Sequence, residues 1–226
     1  MPRESQYVDN LSLIEEMGYQ KLGSMTSWAW HDDPKHLLFT LSRYKFVAKM
    51  FDGFNQVLEV GCGDGFPARI VAQSVHHLTA TDFDEGLIST AQSIHASNRW
   101  NVTFEVLNPL QSSSKGKYDG IYALDVLEHI APNQEFLFMN NIIKSLQPNG
   151  SLIIGMPSLE SQQYASEQSK RGHVNCKTQM QLRNFLKNWF HQVFIFSMND
   201  EVVHTGYAKM AHYEFALCCS LVGNGL

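Results

Sequence analysis

Three glycines at alternate positions, Gly61, Gly63 and Gly65, close the stretch VLEVGCGDGF (residues 57–66), and one acid, Glu59, lies inside the apolar run before them. Bare backbone of this kind permits positive φ and lets a ligand approach with no Cβ in the way. Asp82 follows 21 residues after Gly61, where a carboxylate at the end of a second strand can accept hydrogen bonds from both hydroxyls of a ribose. NAD and S-adenosylmethionine share that requirement. A dinucleotide fingerprint reads G-x-G-x-x-G/A and seats a pyrophosphate on the helix N-terminus; here the register is G-x-G-x-G, with Phe66 where the third small residue belongs. A carboxylate beside the turn attracts an ammonium and a sulfonium and repels a pyrophosphate, so Glu59 favours the sulfonium cofactor.

Around this core the signals alternate. HDDPKHLLFTLSRYKFVAKMF (residues 31–51) has Asp33 as N-cap, Pro34 at the first helical position, and Leu37, Leu41, Tyr44, Val47 and Phe51 on one face. QVLEV, HLTATDF, NVTFEVL, YDGIYAL and SLIIGM read as strands, and FPARIVAQSV, DEGLISTAQSIHAS and NQEFLFMNNIIKSL as the helices between them. The last of these puts Phe136, Met139, Ile143 and Leu146 in register and stops at Pro148-Asn149-Gly150. Strand and helix in alternation predict a doubly wound, mostly parallel sheet, here of seven strands. Thr178 and Gln181 form a capping box for a further helix, and HQVFIFSM and AKMAHYEFALCC close the chain as two strands without a crossover helix, so at least one runs antiparallel at the sheet edge. Residues 1–52 read as an arm and a cap helix, residues 53–226 as the main domain, and residues 157–175 as a polar lid loop.

The 226 residues carry a formal net charge of -5, which gives no general pull toward nucleic acid. No apolar run has the length of a membrane span or a signal core, so a soluble, cytoplasmic protein is expected. The four cysteines form no C-x-x-C pair and read as reduced thiols. His173-x-x-Cys176 is half of a zinc pattern with no second half at recognised spacing, so no metal is expected.

Four segments together, VLEVGCGDGF, LTATDFDEGLI, YDGIYALDVLEHI and IIKSLQPNGSLIIGMPS, resemble the motifs of the class I S-adenosylmethionine-dependent methyltransferases over residues 55–157, and DVLEHI is similar to the small-molecule branch that includes ubiquinone-pathway and sugar-modifying members. The resemblance implies that Glu59, Gly61, Cys62 and Gly63 meet the methionine part of the cofactor and that Asp82 holds the ribose. It implies further that Phe83 packs on the adenine, that Asn108 takes the adenine amino group where relatives carry Asp, and that the Asp125 backbone carbonyl meets the ammonium. Each has a plainer rival: Phe83 as core, Asp84 as a helix N-cap and not a contact, Cys62 as a small buried residue.

Methyl transfer from a sulfonium is an in-line displacement that needs no protein nucleophile, but a hydroxyl or protonated nitrogen acceptor must lose a proton. His129, just past the fourth strand, and His173, on the polar loop, are the candidate bases, each with a structural alternative. Trp28, Trp30 and His31 lie where an N-terminal cap would cover the pocket together with loop 157–175. The expected activity is methyl transfer to an oxygen or nitrogen of a small metabolite, a sugar being one candidate. Its rivals are a protein or RNA methyltransferase, a cofactor-binding module without turnover, and a nicotinamide-dependent oxidoreductase.

Overall fold

A computed structural model of the chain describes residue 4 and residues 7–95 and 100–223. Three helices come first: α1 (Val8–Met17), α2 (Ser24–Asp32) and α3 (Pro34–Met50). Asp33 caps α3 as expected, its Oδ1 accepting from Lys35 N at 3.0 Å and His36 N at 3.4 Å. Strands and helices then alternate through β1 (Gln56–Val60), α4 (Ala68–Ala72), β2 (His77–Asp82), α5 (Glu85–Ile94), β3 (Val102–Val106), β4 (Tyr118–Leu124), α6 (Glu135–Ser145) and β5 (Leu146–Pro157). After α7 (Glu167–Gly172) and α8 (Gln179–Leu186) the chain ends in β6 (Phe190–Asn199), β7 (Val202–His204) and β8 (Tyr213–Leu221). Among the described residues no helix is long and apolar enough to cross a membrane.

All eight strands form one sheet in the order β3-β2-β1-β4-β5-β8-β6-β7. The first five pair in parallel. The sequence led to seven strands with at least one of the last two antiparallel at the sheet edge. The antiparallel edge is present but is formed by an eighth strand, β7, three residues long inside the β6–β8 link, and β8 lies antiparallel between β5 and β6. Phe215, Ala216 and Cys218 are completely buried, which an edge position would not allow them.

Two apolar clusters flank the sheet. Leu58, Val60, Ile121, Phe138, Met139, Leu182 and Trp189 join β1 and β4 to α6 and α8; Tyr44, Val47, Phe51, Val57, Val71, Leu78, Ile88 and Tyr122 join the other face to α3, α4 and α5. Because side chains alternate across a strand, Glu59 shares the face of Val57 and so points toward α3. Full burial of Val47 and Phe51 fastens α3 there, each worth about 1.5–3 kcal/mol by transfer from water.

Four local expectations change. α6 turns Phe138, Met139, Ile142 and Ile143 inward and leaves Phe136 half exposed, because Phe136 packs against Phe185 and Trp189 at the rim. Leu146, expected in the helix, and residues 148–150, expected as a turn, already run extended within β5, with the register against β4 shifting between Tyr118 and Gly120. The polar stretch 157–175 is built from a 3-10 turn, Glu160–Tyr164, and α7. The expected α5 reached residue 97; the described helix ends at Ile94, and residues 96–97 lie outside the described residues.

Candidate functional site

β1 has β2 on one side and β4 on the other, so the carboxyl ends of β1 and β4 meet where strand order reverses, the place where open parallel sheets bind ligands. The glycine turn sits at that end. Gly61 has φ 83° and Gly63 φ 56°, both in the region that L side chains avoid. A Cβ on Gly61 would stand 2.3 Å from Val126 Cγ2, and one on Gly63 would stand 2.7 Å from Met25 Sδ. Gly61 N and Cys62 N both donate to Thr81 O at 2.8 Å, and Gly63 N donates to Asp82 Oδ2 at 3.0 Å, so the turn is clamped to the end of β2. Asp82 Oδ1 accepts from Asp84 N at 3.0 Å, and Asp84 caps α5 through Gly86 N and Leu87 N. Asp84 therefore has the plainer role weighed for it.

Glu59 is buried, and neither of its carboxylate oxygens has a hydrogen-bond partner. Burial pushes its carboxyl up to about 7; the Tyr44 and Tyr122 hydroxyls face it and favour the charged form without making hydrogen bonds of good geometry, and Asp82 opposes it. Cys62 is buried and its thiol is held above the ordinary thiol range, first by burial and then by Glu59 and Asp82. Phe83 is 70% exposed at the end of β2, so it is not core and its ring face is open. Asn108 Oδ1 accepts from Leu110 N at 2.9 Å, which caps the turn after β3 and leaves one lone pair for any further donor.

Two residues that carried no sequence signal dominate the rest of the turn. Asp64 accepts from Thr26 N at 2.8 Å, Thr26 Oγ1 at 3.0 Å and Phe66 N at 3.2 Å, so the glycine turn caps the N-terminus of α2 from a distance of 38 residues. Its own cap position is Gly23, which has no side chain to offer. Arg43, buried on α3, donates from Nη1 to Asp125 Oδ1 and Oδ2 at 2.9 and 2.8 Å and lies 3.9 Å over the Tyr213 ring, while its Nε has no partner. Asp125 itself has φ 57° at the end of β4.

Beyond Asp125 a 3-10 turn, Leu127–His129, carries a second group of candidate side chains. Glu128 is completely buried with both carboxylate oxygens unpartnered, and its carboxyl is driven well above the ordinary range by burial and then by Asp125, with Arg43 opposing. Its backbone oxygen accepts from Val174 N at 2.8 Å and Asn175 N at 3.0 Å, which draws stretch 157–175 down onto the turn. His129 Nδ1 lies 2.9 Å from Gly172 O, His173 Nδ1 lies 2.9 Å from Gln162 Oε1, and the two imidazole rings are 5.2 Å apart. Burial, then the neighbouring His129, lower the His173 pKa. One donor atom each from Glu128, His129 and His173 lies within 4.8 Å of the others. That is a carboxylate–imidazole set able to hold a divalent cation, with the far nitrogen of each ring anchored to an oxygen as metal-ligating histidines usually are. The sequence argument against a metal looked for a second half of the His173-x-x-Cys176 pattern at recognised spacing; the side chains that approach His173 lie at residues 128–129 on another element.

The structure thus brings together Glu59, Gly61, Cys62, Gly63, Asp82 and Asp125 at one end of the sheet and His129 and His173 beside them. Trp28 and Trp30 remain about half exposed on α2.

Known proteins resemble this arrangement at two levels. Residues 58–152 match the family model described as a methyltransferase domain. The chain is 30% identical over 155 residues to the ubiquinone biosynthesis O-methyltransferase of Rickettsia felis, covering 64% of the chain and 62% of that protein. It is 29% identical over 110 residues to the enzyme of the same name from Rickettsia akari, covering 49% and 43%. The chain therefore spans about half the length of the curated relatives it matches. In three dimensions it is similar to the N-methyltransferase NodS from Bradyrhizobium japonicum WM9, solved with S-adenosylhomocysteine, with a TM-score of 0.62 over 93% of the chain and 97% of that protein at 20% identity. At that identity the likeness speaks for the fold.

Proposed function

We propose that the chain is a class I S-adenosylmethionine-dependent methyltransferase, which binds S-adenosylmethionine and transfers the methyl group to a hydroxyl of a small metabolite. The observation that carries this reading is Glu59: a buried carboxylate faced by the Tyr44 and Tyr122 hydroxyls without a hydrogen bond of good geometry, beside a glycine turn whose positive φ and close neighbours exclude side chains. Leaving a buried charge unpaired is costly, and an ammonium group placed there would satisfy it. The cofactor, when bound, supplies an electrophilic methyl on a sulfonium.

The residues present fit that group. Glu59 binds and orients the ammonium, Arg43 offers its free Nε and its charge to the carboxylate, Asp82 takes the ribose hydroxyls, and Phe83 covers the adenine. Asn108 is the weaker member of the set, since Leu110 already uses its carbonyl. At the acceptor end His173, its pKa lowered and its Nδ1 held by Gln162, has Nε2 free to accept the hydroxyl proton; His129, held by Gly172, is oriented in the same way. Where Glu128, His129 and His173 hold a divalent cation instead, that ion would supply Lewis-acid polarisation of the acceptor oxygen. Both readings place proton removal at the same three residues. Free Cys62, Cys176, Cys218 and Cys219 support a reducing compartment such as the cytoplasm.

Titration calorimetry with S-adenosylhomocysteine tests the first half, and transfer of label from methyl-labelled cofactor to hydroxylated metabolites of a cell extract tests the second. The absence of binding at millimolar ligand would refute the proposal. Label appearing in protein or RNA would overturn the acceptor class alone.

A further inference from the structure

The polar stretch that covers the acceptor end is closed into a loop at Lys177. Leu159 N donates to Lys177 O at 2.9 Å, and Ser158 pairs with Lys177 in a single parallel bridge. Surface loops whose ends meet in this way are frequently functional. This one carries both Gln162 and His173, whose side chains meet at 2.9 Å. The Lys177 side chain then fastens the loop to the core. Its Nζ donates to Glu135 Oε2 at 2.8 Å and to Asn175 Oδ1 at 3.0 Å and lies 4.9 Å over the Phe185 ring, while Glu135 Oε2 also accepts from Asn175 Nδ2 at 2.8 Å. The Lys177 and Glu135 side chains are only 11% and 12% exposed. Glu135 opens α6, which is anchored by buried Phe138, Met139, Ile142 and Ile143, so the fixed end of the pair is rigid. A buried ion pair adds little net stability, because desolvation offsets the attraction. What it supplies here is a fixed position.

We propose that Glu135 and Lys177 are positioning residues for methyl transfer: their pair pins loop 158–177 to α6 and so holds His173 against His129 at the turn after β4. The inference rests on the proposed reading of His173 as the proton acceptor and goes beyond it by naming what places that side chain. Counting back from Lys177, the amides of Asn175 and Val174 donate to Glu128 O at 3.0 and 2.8 Å, and His173 comes next. Glu128 belongs to the same 3-10 turn as His129. One short segment is thus gripped from two elements, by α6 through charge and by the turn through its carbonyl. Gln162 orients the His173 ring but travels with the same loop, so it cannot fix the ring relative to His129. A misplacement of about 1 Å at a reacting centre can cost about 10²-fold in rate.

Glu135→Leu combined with Lys177→Met replaces the pair by apolar side chains, a change that is often neutral for stability. Lys177→Met alone, which leaves Asn175 bound to Glu135, asks the same question if the double variant does not fold. Glu135→Gln keeps an oxygen for both donors and serves as the conservative control. The imidazole proton resonances of each protein are titrated, that of His173 being the one absent from His173→Ala. In the unaltered protein His173 should titrate below 6.5, because burial and then the neighbouring His129 lower its pKa. The double variant should return it to about 6.5 and lower label transfer from methyl-labelled S-adenosylmethionine to hydroxylated metabolites of a cell extract about 10²-fold, with S-adenosylhomocysteine affinity within a few fold. Lys177→Met should move both in the same direction by less, and Glu135→Gln should stay close to the unaltered protein. A pair that merely props up the fold would lower the melting temperature and leave the His173 midpoint where it was. That result, unchanged label transfer, or S-adenosylhomocysteine affinity falling in proportion to label transfer overturns the inference alone. Absence of label transfer by the unaltered protein removes the acceptor reading, and the inference with it.

Discussion

Replacing Glu59 by Gln changes one oxygen for one amino group in a fully packed position, so its effects report charge more than shape. In the free protein the Glu59 carboxyl is raised from 4.5 to about 7 by burial. A raised folded pKa means that the folded state binds a proton the unfolded state has lost. The stability linked to Glu59 is therefore complete below pH 4.5 and is lost as pH rises toward 7. At about 1.4 kcal/mol for each pKa unit the loss reaches about 3 kcal/mol above pH 7. Glu59→Gln should match the unaltered protein in denaturant melts at pH 4.5 and exceed it by up to about 3 kcal/mol at pH 8. Ligand binding should move the other way. The charged carboxylate is the form an ammonium selects, so S-adenosylhomocysteine affinity should rise with pH up to about 7, and binding near pH 6 should release protons. Calorimetry in two buffers of different ionisation enthalpy counts them. Glu59→Gln should lose both the pH slope and the proton release and bind about 10–100-fold more weakly, the worth of a hydrogen bond to a charged group. Equal affinity in the two proteins, or a stability difference that does not grow with pH, would refute the assignment.

Gly61→Ala should lower stability by about 1–3 kcal/mol, measured by thermal melts, because Ala is strained at φ 83° and its Cβ meets Val126; adding Val126→Ala should recover the clash but not the strain. Asp64→Ala removes the remote cap of α2 and should cost about 1 kcal/mol, read as faster limited proteolysis within residues 20–32. His173→Ala should lower methyl transfer about 10²–10⁴-fold with S-adenosylhomocysteine affinity within a few fold, and in the unaltered protein the rate should rise with pH through a midpoint below 6.5, since the His173 pKa is lowered. A His173→Ala protein that loses cofactor affinity in proportion to rate would contradict a role at the acceptor end.

Much of this site could be read from residue order because its parts are local. Asp33, Asp84 and Thr178 cap the helices that directly follow them, and the glycine turn follows directly on its own strand, so neighbours in the chain decide each. Apolar runs separated by helical periods announced β1 to β5 for the same reason. Phe136 failed because helical spacing identifies a face but not what lies beyond its rim. The place of β8 between β5 and β6 was not legible because strand order depends on which partner buries Phe215 and Cys218 better, a comparison between distant segments.

The chain alone specifies a glycine turn flanked by Glu59 and Asp82, and with it the class of fold, because backbone freedom and strand periodicity are short-range properties. Folding adds the long-range partners. Arg43 meets Asp125 across 82 residues, Asp64 reaches Thr26 across 38, and His173 comes to His129 only because the Glu128 carbonyl accepts two amides from residues 174 and 175. Their energies depend on burial and on distances that no spacing in a sequence encodes, so these contacts emerge only once the sheet and its covering segments have packed.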